Sequence, residues 1–264
     1  MKKSLLILVA LSGIMFQSCK KENVNPAQPT DSSKGAMVVK MTDAPADYAA
    51  LEVELVKVEA YLQNEGWINL SNESQIISVL DLTNGISTNI ASSSSLEAGL
   101  YTKLRLTFGN ENKLWVGAGL GGTQFLLDFT TSSEQQIEVQ IDEQVNANAS
   151  TEVLLDFNAA QSIIELGNTY ILQPTIYEIE DTSTGVYGQV QGSIQASVTL
   201  SDASNSFSTY IAANGAFKLQ GMADGTYDIV IRGIREGESQ VRETTIENVV
   251  IVRGQFTNAG SVQL

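Results

Sequence analysis

Tyr101-Thr102-Lys103-Leu104-Arg105-Leu106-Thr107-Phe108 decides the fold class. Thr102, Leu104, Leu106 and Phe108 fall on one side of an extended chain, with Lys103, Arg105 and Thr107 on the other. A period of two belongs to a strand with one packed and one wet face. Upstream, Leu51, Val53 and Leu55 alternate with Glu52 and Glu54, and then the phase flips so that Val56, Val58 and Ala60 become the apolar set. A flip inside one run predicts a β-bulge, because one extra residue moves every later side chain to the other face. The same letters also fit one helical face, but three valines and the alternation favour a strand.

Shorter strands are predicted at 37–41, 67–70, 76–82, 114–116, 125–129, 137–141, 151–157 and 170–179. The last contains Pro174, which belongs at an edge or a bulge. Asn84-Gly85 is a turn signal, and 158–166 reads as one short helix capped by Asn158. Beyond residue 185, Val190, Gly192, Ile194, Ala196, Val198 and Leu200 alternate with Gln, Ser and Thr as one long strand. Phe207, Thr209 and Ile211 lead into Asn214-Gly215, and Phe217 and Leu219 return as a hairpin. Asp224-Gly225 turns the chain into 226–231, and strands at 249–252 and 261–264 close it. The expectation is an all-β chain of two antiparallel β-sandwich domains, 37–181 and 185–264, with one short helix near the end of the first.

The N-terminus is of another kind. Lys2 and Lys3 precede a short apolar run, Leu5-Leu6-Ile7-Leu8-Val9-Ala10-Leu11, followed by Ser12 and Gly13. That is the order of a secretory signal peptide, residues 1–18, too short for a permanent membrane helix. It ends in Ser18-Cys19, and Cys19 is the single cysteine of the chain. A lone thiol in an exported protein makes no internal disulfide, which leaves a modification site. The segment resembles the lipobox of bacterial lipoproteins, with Phe16 as a departure from its commonest form. The resemblance implies cleavage before Cys19 and acylation of its thiol, an outer-membrane anchor. Residues 19–36 hold Pro, Asn, Ser and mixed charge with no apolar period, and read as a flexible tether. Lys20-Lys21-Glu22 leaves open whether the protein faces the periplasm or the surface.

Composition removes several functions. With 15 basic and 30 acidic residues among 264, the formal net charge is −15, which repels nucleic acid and excludes it as a partner. There is no histidine, so the commonest zinc ligand, the usual general base and every Ser-His pair are missing. No catalytic residue, metal site or cofactor is assigned. Three sets of side chains are candidates. Asp43 and Asp47 flank Pro45 and could bind calcium, though Asp in such a turn more commonly accepts backbone N–H bonds. Asp81 and Asp156 could form a carboxylate pair, though each lies in a strand-end motif suited to capping. Trp67 and Trp115 could stack on a sugar, though their apolar neighbours favour the core.

Several motifs in order carry a resemblance: Thr42-Asp43-Ala44-Pro45 with Tyr48, Trp67-Ile68, Leu80-Asp81-Leu82-Thr83-Asn84-Gly85, Ala98-Gly99-Leu100-Tyr101, and Leu155-Asp156-Phe157 with Ala159-Ala160-Gln161-Ser162-Ile163. They resemble the bacterial lipoprotein domain of unknown function numbered four-three-eight-two. The resemblance implies export, lipid anchoring and a β-sandwich, and brings no catalytic residues. Asn214-Gly215-Ala216-Phe217 followed by Asp224-Gly225-Thr226-Tyr227 resembles the carboxypeptidase regulatory-like, transthyretin-type sandwich. That resemblance implies a spacer or interaction module. Leu96-Glu97-Ala98-Gly99-Leu100-Tyr101 also parallels Met222-Ala223-Asp224-Gly225-Thr226-Tyr227. If both segments share one plan, their strands must follow the same order. The reading is a lipid-tethered, non-enzymatic envelope protein whose partner is an envelope protein or a glycan.

Overall fold

The computed structural model describes residues 34–44, 46–117, 122–131, 135–201, 206–235 and 237–264. The expected signal peptide, Cys19, the expected tether as far as Ser33, and Pro45 lie outside them. β1 (Lys34–Ala44) starts three residues before the predicted start of the first domain at Met37. Gly35 allows this, because a Cβ there would press on Asn146 O and Val145.

β2 (Ala50–Leu62) carries the expected bulge: Leu55 pairs with Phe108 and Lys57 with Thr107, leaving Val56 as the extra residue. Leu51, Val53 and Leu55 are buried before it, and Val58, Ala60 and Leu62 after it. The chain continues through β3 (Gly66–Ser71), β4 (Gln75–Ser78), β5 (Thr88–Glu97) and β6 (Gly99–Phe108). A hairpin of β7 (Lys113–Val116) and β8 (Thr123–Leu126) precedes β9 (Gln136–Val145) and β10 (Ser150–Asn158). After α1 (Ala159–Ser162) come β11 (Ile163–Leu166), β12 (Thr169–Leu172) and β13 (Ile176–Glu178).

Two large sheets form the sandwich of this lobe, beside a small hairpin sheet of β11 and β12. One runs β13-β10-β1-β5; the other runs β8-β7-β2-β6-β9, with β3 and β4 also on β2. Between them sits one buried cluster from Met37 to Leu172, in which Tyr101, Phe108 and Phe157 are the largest side chains. Phe108 and Phe157 meet edge to face at 6.4 Å.

Several local expectations fail for physical reasons. The predicted strand at 76–82 stops at Ser78 and becomes a 3₁₀ turn, Val79–Leu82. The predicted helix keeps its cap, with Asn158 Oδ1 accepting from Gln161 N at 3.0 Å, but ends at Ser162. Ile163 and Ile164 are β-branched and pair with β12 instead. Pro174 splits the predicted 170–179 strand into β12 and β13. β5, T-N-I-A-S-S-S-S-L-E, was not expected as a strand, because four serines hide its short apolar set of Ile90, Ala91 and Leu96. Pairing with β1 overrides that composition.

The second lobe comprises β14 (Gly185–Gln191), β15 (Ser193–Ser201), β16 (Ser206–Tyr210), β17 (Ala216–Gln220), β18 (Gly225–Arg235), β19 (Val241–Ile251) and β20 (Phe256–Gln263). Its sheets run β17-β14-β20 and β16-β15-β18-β19 around a separate buried cluster. The single long strand expected across 190–200 is therefore two, in opposite sheets. Gly192 lies between them at φ +75°, a left-handed conformation that sends the chain across the sandwich. The expected hairpin at Asn214-Gly215 is not one either: β16 pairs with β15, whereas β17 pairs with β14.

The strand orders of the two lobes agree. β5-β1-β10 corresponds to β17-β14-β20, and β3-β2-β6-β9 to β16-β15-β18-β19, with every counterpart in the same chain order. In each lobe the first and last of these strands pair in parallel, β1 with β10 and β14 with β20. The other strand pairs are antiparallel, with one isolated parallel bridge between Asp128 and Ile171, so these two pairs are the main departure from the expected arrangement.

The sequence echo coincides with this correspondence. Tyr101 Oη donates to Glu97 O at 3.0 Å, and Tyr227 Oη donates to Ala223 O at 3.0 Å. Each tyrosine is buried near the start of its strand and bonds back four residues, as in a tyrosine corner. In both lobes the register then slips against the next strand, between Tyr101 and Lys103 and between Tyr227 and Ile229.

The lobes meet at Asn84-Gly85, whose φ values of +62° and +74° fit a type I′ turn. Asn84 N donates to Thr209 Oγ1 at 2.9 Å, and its Oδ1 accepts from Lys218 N at 2.6 Å. Its Nδ2 donates to Ala216 O at 3.4 Å. Because β17 ends its sheet, the Asn84 amide occupies polar backbone groups that an edge strand otherwise leaves open. Tyr210 Oη adds a bond to Ala46 O at 3.1 Å. Asn84→Ala is expected to lower stability in urea by about 1–3 kcal/mol; a loss indistinguishable from zero would mean that this clasp contributes nothing.

Candidate functional site

Beside that clasp lies a cleft of about 530 Å³, walled by both lobes. The first lobe supplies the ends of β1 and β10, the start of α1, and Tyr177 and Glu178 of β13; the second supplies β16, β17 and Arg253. Parallel pairing sets Thr42 opposite Asp156 and Asp43 opposite Phe157, and antiparallel pairing sets Asp156 opposite Tyr177. Both acids lie where β1 and β10 end together, Asp43 in phase with the core-facing Met37, Val39 and Met41, and Asp156 on the other face with Thr42 and Tyr177. Thr42 Oγ1 lies 2.8 Å from both Leu82 O and Ile86 O, which fixes the loop carrying Asn84 against the same strand end.

Asp43 is 6% exposed and Asp156 7%. Asp43 Oδ1 accepts from Ala159 N at 3.1 Å, while its Oδ2 is shut off from solvent and has no hydrogen-bond partner. Burial, with a smaller push from Asp156, raises the Asp43 carboxyl to about 9, against the pull of the Ala159 N–H. Burial raises Asp156 to about 6, with the Tyr177 hydroxyl lowering it. Tyr177 is itself raised by burial and by the charge of Asp156. Glu178 is raised to about 7 by burial and by Glu143 and Glu180. The basic residues of the cleft are engaged elsewhere: Lys218 Nζ sits 4.4 Å over the Phe256 ring, and Arg253 Nε lies 3.4 Å from Asp224.

The sequence candidates sort accordingly. Asp43 accepts a backbone bond as expected, but from Ala159, 116 residues away rather than within its turn. Asp47 is exposed and does not line the cleft. Asp156 lines the cleft, as Asp43 does, whereas Asp81 is exposed on the 3₁₀ turn and does not. Trp67 is half-buried, in a T-shaped contact with Tyr61 at 5.2 Å, and the Arg105 guanidinium 3.7 Å from its ring centre occupies one of its faces. Trp115 is also half-buried. Tyr177 lines the cleft from β13, which follows Pro174. No cluster of three or more metal-ligating His, Cys, Asp or Glu side chains occurs among the described residues, and none of their helices is long and apolar enough to cross a membrane.

A family model, Domain of unknown function (DUF4382), matches residues 34–174, which takes in the first lobe as far as the turn before β13. No curated protein matches the sequence. Among solved structures, a candidate adhesin from Bacteroides ovatus ATCC 8483 is 10% identical over 95% of this chain and 95% of its own, with a TM-score of 0.24. The Bacillus anthracis TIE protein is 10% identical over 86% of this chain and 40% of its own, with a TM-score of 0.22. The shaft pilin spaA of Lactobacillus rhamnosus GG is 9% identical over 88% and 96%, also with a TM-score of 0.22. At such scores the likeness carries neither fold nor function.

Proposed function

Because the chain belongs to the DUF4382 family through residues 34–174, whose function is unknown, we propose its role from the molecule itself: a lipid-anchored lipoprotein of the outer membrane whose two sandwiches recognise an envelope partner without reacting with it. The observation that carries this reading is the placement of the sole cysteine, directly behind a signal-like leader and fifteen residues ahead of β1. Two or three acyl chains at ~0.8 kcal/mol per buried methylene would anchor the protein stably. The absence of histidine supports recognition over catalysis. The second lobe serves as a carboxypeptidase regulatory-like module, a reading supported by its three-on-four sandwich and by its two turn motifs. Cell fractionation tests the anchor. The native chain is expected with the membranes and Cys19→Ala in the soluble fraction; equal distribution of the two overturns it.

A second reading, glycan binding, has its own observation. Tyr177 is 45% exposed in the cleft. Tyr187, 43% exposed, lines an adjoining groove of about 720 Å³ with Phe256, Gln189 and Asn258. Aromatic faces beside amides suit sugar rings. Binding on a glycan array that is lost in both Tyr177→Ala and Tyr187→Ala would favour it.

A further inference from the structure

We propose that the molecule is a tension-carrying link, in which force between its N-terminal tether and a partner held by its second lobe runs in shear through two parallel strand pairs. The proposal rests on the anchoring read from Cys19 and goes beyond it by giving the fold a mechanical role. In each lobe the strand that enters first is an interior strand of its sheet, and it pairs in parallel with the last long strand of that lobe. β1 runs beside β10 from Ala36 opposite Ser150 to Ala44 opposite Asn158. β14 runs beside β20 from Gly185 opposite Phe256 to Gln191 opposite Gln263. Parallel pairing puts the entry of the first strand and the exit of the last at opposite ends of one ladder. A pull on those two ends loads every bond of the ladder together, because the bonds lie across the line of force. Antiparallel neighbours joined by a hairpin have both ends at one place and open bond by bond.

The lobes are arranged along that line. The second lobe lies beyond the C-terminal ends of β1 and β10, where Tyr210 Oη reaches Ala46 O and the Asn84 turn grips β17. Lys34, where the tether joins, is at the opposite end of β1. Gly221 N donates to Thr184 O and Gly221 packs on Ile179, so β14 begins against the first lobe. Leu264 N donates to Gln191 O at 3.2 Å, at the other end of that strand. The entry of β1 is held on both sides. Lys34 pairs with Glu97 of β5, Lys34 O accepts from Asn148 N at 2.8 Å, and Gly35 packs on Asn146 O too closely for any side chain. Lys40 Nζ lies 2.6 Å from Glu152 across the β1–β10 seam. β13 is the weak step, since its ladder on β10 runs only from Leu155 to Phe157, and it peels ahead of either sandwich. Resistance to forced unfolding is set by the unfolding barrier rather than by equilibrium stability, so the direction of the ladder against the pull decides it. Both parallel strand pairs among the described residues lie on the line from tether to far end.

The test is single-molecule force spectroscopy on the full, unacylated chain, held by the Cys19 thiol and by a tag after Leu264. Two abrupt ruptures are expected, releasing about 500 Å for the first lobe and about 250 Å for the second, at ~3.6 Å per residue. A second chain carries Cys19→Ala with Thr182→Cys and Gln255→Cys, both at exposed positions, and is held by the two new thiols. They flank the entries of β14 and β20, so the same ladder is peeled from one end. At equal loading rate the second lobe is expected to open there at no more than ~half the force it withstands in the first geometry. An equal or higher force in the peeling geometry, or extension of the native chain without rupture peaks, overturns the proposal. The handle is the bare thiol, so a failure of acylation in cells leaves this outcome untouched, and the two claims fall separately.

Discussion

Tyr227→Ala and Tyr101→Ala are each expected to destabilise the protein by about 3–5 kcal/mol, the usual cost of emptying a large buried aromatic site. Both side chains are essentially inaccessible, and Tyr227 packs edge to face on Phe207 at 6.2 Å. Against a total stability of roughly 5–15 kcal/mol, either loss is large. The milder Tyr→Phe changes keep the ring and remove the bonds to Glu97 O and Ala223 O, at about 0.5–1.5 kcal/mol each. Urea denaturation reads both pairs. If the corner tyrosines do the same work in two lobes of one plan, the paired losses should match within about a kilocalorie. A measurable loss for Tyr227→Phe with none for Tyr101→Phe would show that the likeness stops at strand order.

The second large effect is an inverted pH dependence. In the unfolded chain these acids titrate near their ordinary values, 3.8 for Asp43 and Asp156 and 4.5 for Glu178. In the folded chain they hold their protons up to about 9, 6 and 7 respectively. Between about pH 4 and 9 the folded state therefore binds more protons than the unfolded state, and stability falls as pH rises. Asp181, Glu54, Glu138 and Glu238, all held below their ordinary values by hydrogen bonds, act in the opposite sense, chiefly at the acidic end of this range. Hydrogen bonds from Ser183 and Thr184 hold Asp181 down at about 2, so its contribution is complete above 3.8 and is lost only as pH falls towards 2, outside this window. Denaturation in EDTA should give a higher midpoint at pH 5 than at pH 8. Asp43→Asn should flatten the curve and raise stability at pH 8 by about 1–3 kcal/mol. A native midpoint that rises from pH 5 to pH 8 would contradict the assignment.

Much of the architecture is legible in local pattern. The phase flip in β2 marks its bulge at Val56, and the Gly-x-Tyr echo marks two corners that hold the same backbone bond. What local pattern misses is which sheet a strand joins. Val190 to Leu200 keeps a perfect period of two through Gly192, and alternation is blind to a strand that changes sheets at a left-handed glycine. β5 is hidden for the opposite reason: its serines match an exposed loop until β1 supplies a partner. Asn84-Gly85 shows its turn geometry plainly, but not that the asparagine amide caps an edge of the other lobe. The acid pair was half visible. Asp156 stands out in its motif, yet its neighbour is set by parallel pairing of β1 with β10, more than a hundred residues apart, and no spacing rule reaches that far.

The tether is the claim on which the biological reading turns, and it is tested most directly by metabolic labelling with a clickable fatty acid in cells making the native chain or Cys19→Ala. Label on the native protein and none on the variant is the expected result. Equal labelling of the two, or none on either, would contradict it.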